Sequence, residues 1–105
     1  MRAAPLLLIL AAAALVPARA ATPVDITKPI LTRDGARGCD SREALSRLLA
    51  APANAAVEGC LAVDPGQRGY FMDERAGPAR MIELEIETGF AERLLWLPAD
   101  ALRNP

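Results

Sequence analysis

Two cysteines and the absence of histidine limit the chemistry open to this chain. None of its 105 residues is His, and its cysteines are Cys39 and Cys60. Without His, a zinc site loses its commonest ligand, and serine–histidine and cysteine–histidine nucleophile pairs are excluded. The cysteines lack the Cys-x-x-Cys spacing of a redox site, so a structural disulfide between them is favoured over a pair of reactive thiols. We therefore expect no catalytic residue, no metal site and no cofactor.

Three carboxylates alternate with three aliphatic side chains in the order Ile82, Glu83, Leu84, Glu85, Ile86, Glu87. This period of two predicts a β-strand with one face in the core and the other in solvent. Such carboxylates could bind a cation or an amine, or act as an acid pair on a glycoside. A metal site would need oxygen ligands from further segments. A solvated strand face is the interpretation that the alternation favours.

The aromatic residues supply the candidate binding residues, Trp96, Tyr70 and Phe71. Trp96 is the only tryptophan and lies among leucines in residues 94–97. If Trp96 lines a groove, Tyr70 and Phe71 could stack against a ligand in the same place. The alternative is that Trp96 packs in the core. The neighbouring leucines favour the core, because the two faces of a thin sheet cannot both be buried.

Residues 1–20 have the pattern of a signal peptide. Arg2 forms a short positive region, residues 6–16 are apolar, and Ala18-Arg19-Ala20 matches an A-x-A cleavage site. The apolar run is shorter than the roughly 20 residues needed to cross a bilayer. We expect cleavage after Ala20 and a periplasmic or secreted protein with no membrane attachment after cleavage. Residues 21–105 would then form a single domain, stabilised by the Cys39–Cys60 disulfide.

The charge balance excludes two classes of partner. Without residues 1–20 the chain has ten basic residues and thirteen acidic ones, and no long run of either sign. Nucleic-acid binding requires a basic surface that neutralises phosphates, and membrane-surface binding requires a polybasic patch. Neither is present, so we expect neither nucleic acid nor a membrane surface as partner.

The local patterns predict a mainly β domain with one helix. Residues 21–25 suggest a loose leader, and residues 26–33 an edge strand containing Pro29. Asp40 as N-cap and Glu43 three residues later predict a helix over residues 40–51. Short strands are predicted at residues 60–63, 69–73, 81–87 and 93–97, followed by one helical turn at residues 98–102.

The order of turns and strands over residues 64–102 resembles the bacterial SH3-like (SH3b) barrel. The shared features are the turn Asp64-Pro65-Gly66, two strands, a turn at Gly89 and the ending Leu95-Trp96-Leu97-Pro98-Ala99-Asp100-Ala101-Leu102. This ending is similar to the family's Gly-Trp-Val-Pro/Ser-x-x-x-Leu. The resemblance implies a small barrel of about five short strands, here with a helical insertion after the first strand.

The resemblance also implies a function. SH3b domains of exported proteins recognise cell-wall peptides or other proteins and are not themselves enzymes. We therefore expect a non-enzymatic exported binding module that recognises a protein or peptidoglycan. The alternative is a small periplasmic inhibitor or immunity-type protein that blocks an enzyme with a loop at residues 73–77.

Overall fold

The computed structural model describes residues 22–88 and 91–105, so the predicted signal peptide and the turn at Gly89 lie outside the described residues. These residues form seven strands, one α-helix and one 3-10 turn. In chain order they are β1 (Ile30–Thr32), β2 (Arg37–Cys39), α1 (Arg42–Ala50), β3 (Cys60–Ala62), β4 (Arg68–Ala76), β5 (Arg80–Thr88), β6 (Ala91–Pro98), the 3-10 turn (Ala99–Ala101) and β7 (Leu102–Arg103).

All seven strands belong to one antiparallel sheet in the order β3-β2-β6-β5-β4-β1-β7. The prediction of a mainly β domain with one helix is confirmed. The predicted count of about five strands is wrong, because β2, which pairs with the predicted β3, and β7, which pairs with β1, are additional strands. The helix also follows β2, not the first strand. Within the described residues β3 and β7 stand at opposite ends of the sheet and do not pair with each other.

The β2–β3 hairpin is joined by the predicted disulfide. Cys39 and Cys60 are directly opposed across the two strands, and their sulfurs are bonded. Cys39 is fully buried and also pairs with Trp96 on β6. Gly38 permits this packing, since a Cβ there would lie 3.0 Å from the Cβ of Leu95. The disulfide therefore links the two strands of the hairpin at the position where β2 pairs with β6.

Helix α1 begins one residue later than the capping pattern predicts. Ser41 is the N-cap, and its hydroxyl accepts a hydrogen bond from the backbone N–H of Ala44 at 3.0 Å. Asp40 is not the cap because its own N–H donates to the carbonyl of Gly59, 2.8 Å away, and so extends the β2–β3 ladder. The helix buries Ala44 and Leu45 against the sheet.

Two apolar clusters lie on opposite faces of β5 and β6. The main core contains the aliphatic residues of the alternating strand, Ile82, Leu84 and Ile86, each fully buried as predicted. The second cluster lies under α1 and contains Leu45, Met81 and Trp96, together with the disulfide. Residues one apart on a strand point to opposite faces, which explains why Met81 and Ile82 enter different clusters.

The N-terminal segment is fixed to the domain. Val24 is buried, and Asp25 is hydrogen-bonded to Asn104, so at these two residues the predicted loose leader is wrong. Strand β1 begins after Pro29 and pairs with both β4 and β7. The prediction of an edge strand is therefore also wrong. The prediction failed because Pro29, which cannot donate a backbone hydrogen bond, lies before the strand and not within it.

Candidate functional site

Two of the three candidate binding residues, Tyr70 and Trp96, lie on or next to the side of β4, β5 and β6 that faces away from the main core. Directly opposed residues of antiparallel strands share a face. Tyr70, Glu85 and Leu94 form one row across the three strands, and Glu83 and Trp96 are opposed in the next row. We call this surface the outer face. Its members are Arg68, Tyr70, Asp73, Arg75, Glu83, Glu85, Glu87, Glu92 and Leu94.

Trp96 lies where the outer face meets helix α1. Its side chain is 8% exposed and packs in the cluster that contains Leu45, Met81 and Cys39. The guanidinium carbon of Arg42 lies 5.8 Å from the centre of the indole ring, within the range of a cation–π contact. Trp96 therefore packs in the core beneath α1 and borders the outer face without forming its open surface.

Tyr70 and Leu94 are the open apolar part of the outer face. Tyr70 is 56% exposed and Leu94 is 49% exposed, and Glu85 lies between them in the row. The guanidinium carbon of Arg68 lies 4.8 Å from the centre of the Tyr70 ring. Leu94 has no role in the sequence prediction because four consecutive apolar residues do not show which of them face the solvent. Alternation from Trp96 would have placed Leu94 on the same face.

Phe71 is on the other side of β4 from Tyr70. It is opposed to Leu84, a residue of the main core, and its side chain is half-exposed. Adjacent strand residues point to opposite faces, so Tyr70 and Phe71 do not line one groove. A β-bulge follows between Phe71 and Asp73, which leaves Met72 exposed as well. The structure brings Tyr70 close to the row of Trp96 and separates Phe71 from both.

The acidic residues of the outer face lie close enough to affect each other. A side-chain hydrogen bond with Glu85 raises the pKa of Glu92, and charge repulsion from Glu85 raises it further. Glu87 is directly opposed to Glu92 across β5 and β6. A cleft of about 160 Å³ lies beside them, lined by Gln67, Arg68, Tyr70, Glu85, Glu87 and Glu92. Chemically, this arrangement suits a cationic group next to an aromatic ring.

The segment proposed as an inhibitory loop is mostly strand. Residues 73–76 belong to β4 and pair with residues 80–83 of β5. Two ion pairs stabilise this end of the hairpin, Arg75 with Asp73 and Arg80 with Glu74. The loop prediction is therefore wrong, and the reason is that the charged sequence after Met72 continues the ladder with β5.

A second cleft, of about 420 Å³, lies between the β1–β2 turn, the C-terminal end of α1 and the 3-10 turn. Its walls carry both signs of charge, with Arg33 and Arg37 near Asp34 and Asp100. No aromatic side chain lines it. It therefore has neither the aromatic ring nor the excess of carboxylates that characterise the outer face.

In the part of the chain that the structure describes, no group of three or more potential metal-binding side chains comes together. The same residues contain no helix long and apolar enough to cross a membrane. Comparisons with protein-family models, with curated proteins and with solved structures gave no match for this chain.

Proposed function

We propose that this protein is a non-enzymatic exported binding module that recognises a protein or a cell-wall component through the outer face. The observation that carries the proposal is the row of Tyr70, Glu85 and Leu94, in which two large apolar side chains stand open to solvent on a rigid sheet. Single exposed apolar residues are ordinary, but neighbouring ones with a polar rim are typical of interaction surfaces.

The strand order supports an SH3-like barrel as the finer fold. β7, β1, β4, β5 and β6 are consecutive neighbours in the sheet, and β6, which carries Trp96, leads through a single 3-10 turn to the buried Leu102 of β7. The elements from β4 to Leu102 are those on which the family resemblance rests. The β2–β3 hairpin and α1 lie between β1 and β4 in the chain, so they would be an insertion into such a barrel.

The disulfide supports a periplasmic or secreted location. Cys39 and Cys60 are bonded. Structural disulfides persist in oxidising compartments and are rare in the cytosol. The proposal therefore includes removal of residues 1–20 as a signal peptide and a site of action outside the cytoplasm.

Binding can be tested with the chain from residue 21 onward, produced with its disulfide intact. Purified peptidoglycan is used in a co-sedimentation assay, and periplasmic extract of the source bacterium is used in a cross-linking assay. Each assay compares the wild type with Leu94→Ser, which changes the outer face, and with Leu49→Ser. Leu49 is a matched control because it is also an exposed leucine, 39% accessible, but lies on α1.

We expect the wild type and Leu49→Ser to bind peptidoglycan or one stoichiometric protein, and Leu94→Ser to lose that binding. Circular dichroism spectra of the three proteins should superimpose, since both substitutions are at exposed positions. Binding that survives Leu94→Ser unchanged would overturn the assignment of the outer face. Absence of any binding to either preparation would overturn the proposed function.

A further inference from the structure

We propose that the outer face binds an extended, cationic segment of a partner protein, in which Lys or Arg occupies every second position. This inference rests on the proposed function and specifies the chemistry of the partner. It starts from four glutamates of the outer face, Glu83, Glu85, Glu87 and Glu92. The basic residues of this face are Arg68, which lies over Tyr70, and Arg75, which is paired with Asp73.

No ion pair within the described residues neutralises these four glutamates. In residues 22–88 and 91–105, the ion pairs join Lys28 to Asp25, Arg75 to Asp73 and Arg80 to Glu74. Arg75 and Asp73 lie on the outer face, but their ion pair includes none of the four glutamates. Glu87 and Glu92 are directly opposed, an arrangement of like charges that destabilises an antiparallel pair. Glu85 raises the pKa of Glu92 as well, first through their side-chain hydrogen bond and then through charge repulsion between the two carboxylates. A cationic partner would relieve this repulsion on binding.

The spacing of the carboxylates selects an extended partner. Glu83, Glu85 and Glu87 follow β5 at intervals of two residues. Side chains on one face of a strand are about 6.8 Å apart at that interval, and an extended partner presents its own side chains at the same distance. A segment that lies along β5 can therefore place one basic side chain near each carboxylate.

The apolar residues fit the same partner. Arg68 already lies over the Tyr70 ring at 4.8 Å, which shows that a guanidinium can approach this ring. Leu94 lies on the other side of Glu85 and can contact the aliphatic part of a Lys or Arg side chain. A second copy of this chain is a poorer partner, because two outer faces would bring two sets of four glutamates together.

The test uses a fluorescent twelve-residue peptide in which Arg alternates with Thr. A control peptide has the same composition, with six Arg followed by six Thr. The protein variants are Glu85→Gln with Glu87→Gln on the outer face, and Glu43→Gln with Glu58→Gln as a control. Glu43 and Glu58 are exposed and lie outside the outer face, so the two double variants have equal net charge.

We expect the outer-face variant to weaken binding of the alternating peptide roughly fivefold, because two exposed charge contacts are lost. The control variant should change the affinity less than about twofold, since only long-range, screened attraction is lost. The block peptide should bind more weakly than the alternating one. Equal losses in both double variants, or equal binding of both peptides, would overturn the inference.

The outcome also separates this inference from the proposed function. A natural partner that depends on Leu94 but binds the Glu85→Gln, Glu87→Gln variant normally would overturn the cationic segment and leave the binding module standing. Binding to peptidoglycan alone that depends on Leu94 would also overturn the cationic segment. Dimerisation that depends on Leu94, measured by analytical ultracentrifugation, would overturn it as well. Loss of the natural partner in the outer-face variant, with binding retained in the control variant, would support both proposals.

Discussion

Asn104 holds Asp25 by two hydrogen bonds that join positions 79 residues apart in the chain. Its side-chain carbonyl oxygen accepts from the backbone N–H of Asp25, and its amide nitrogen donates to the carbonyl of Asp25, each at 2.9 Å. The same nitrogen donates to the carbonyl of Pro29 at 2.8 Å. One side chain near the C-terminus thus satisfies three backbone groups of the segment that leads into β1.

Replacing Asn104 with Ala should destabilise the domain by about 1–3 kcal/mol, because the substitution leaves partly buried backbone groups without partners. Urea unfolding followed by circular dichroism would measure this change. Hydrogen exchange should show faster exchange of the Asp25 amide in the variant. An unchanged unfolding midpoint with unchanged exchange would contradict the role assigned to Asn104.

Removing the disulfide by Cys39→Ala with Cys60→Ala should lower the free energy of unfolding by about 3 kcal/mol in the chain-entropy model. The bonded residues are separated by 21 positions, so the disulfide closes a loop of moderate size and lowers the conformational entropy of the unfolded chain. Guanidinium unfolding of the oxidised wild type and the double variant gives the difference. Equal midpoints would mean that the hairpin is held by its strand pairing alone.

Thr32→Val should destabilise the turn before β4. The buried hydroxyl of Thr32 donates to the carbonyl of Asp64 at 2.6 Å and accepts from the N–H of Gln67 at 2.9 Å. Valine has a similar shape but leaves both groups unpaired, at a cost of about 1–3 kcal/mol. Thr22→Val, at an exposed position, is the control and should leave the melting temperature unchanged. Equal melting temperatures for the two variants would contradict this account.

Trp96→Ala should unfold or strongly destabilise the protein, whereas Leu94→Ala should not. The Trp96 ring is buried against the disulfide and α1, and truncation of such a ring costs about 3–5 kcal/mol. Leu94 is half-exposed, and its truncation should cost less than about 1 kcal/mol. Thermal unfolding of both variants would measure the contrast. A stable Trp96→Ala variant would show that the ring contributes little to packing and would return it to the candidate binding residues.

Glu92→Gln should make the protein more stable at neutral pH. Its hydrogen bond to Glu85, the negative charge of Glu85 and partial desolvation raise the pKa of Glu92 in the folded state. The folded protein therefore binds this proton more tightly than the unfolded chain, and the associated stability is lost as the pH rises through the raised pKa. Melting temperatures from pH 4 to 7 should show a gain in the variant that shrinks at low pH. A gain that is constant with pH would point to a cause other than charge.

The sequence predicted the elements whose signal is local. The alternation from Ile82 to Glu87 identified β5 and its buried face, and the spacing of the two cysteines, which is not Cys-x-x-Cys, indicated a structural disulfide. Strand β2 could not be predicted, because Arg-Gly-Cys has no periodicity and forms a strand only through pairing with β3 and β6. The N-cap was missed by one residue for the same reason, since the pairing of Asp40 with Gly59 is a tertiary effect.

The candidate site was predicted in part. Tyr70 and Trp96 were named from residue type, and the structure places Tyr70 on the outer face and Trp96 at its edge. Leu94 was missed, and Phe71 lies on the side of β4 opposite to the outer face. The side to which a strand residue points depends on the register of the strand, which consecutive apolar residues do not reveal. For the carboxylates of β5 the alternation favoured a solvated face over cation or amine binding, because it does not show that Glu92 of β6 lies beside them.

The position of β1 between β4 and β7 has a consequence for folding. β1 pairs with residues 68 and 69 of β4 and with residues 102 and 103 of β7. The clamp on Asp25 comes from Asn104. The sheet therefore cannot be completed around β1 until segments far away in the chain have reached it. Such contacts form slowly, because a long loop must be closed before they can contribute to stability.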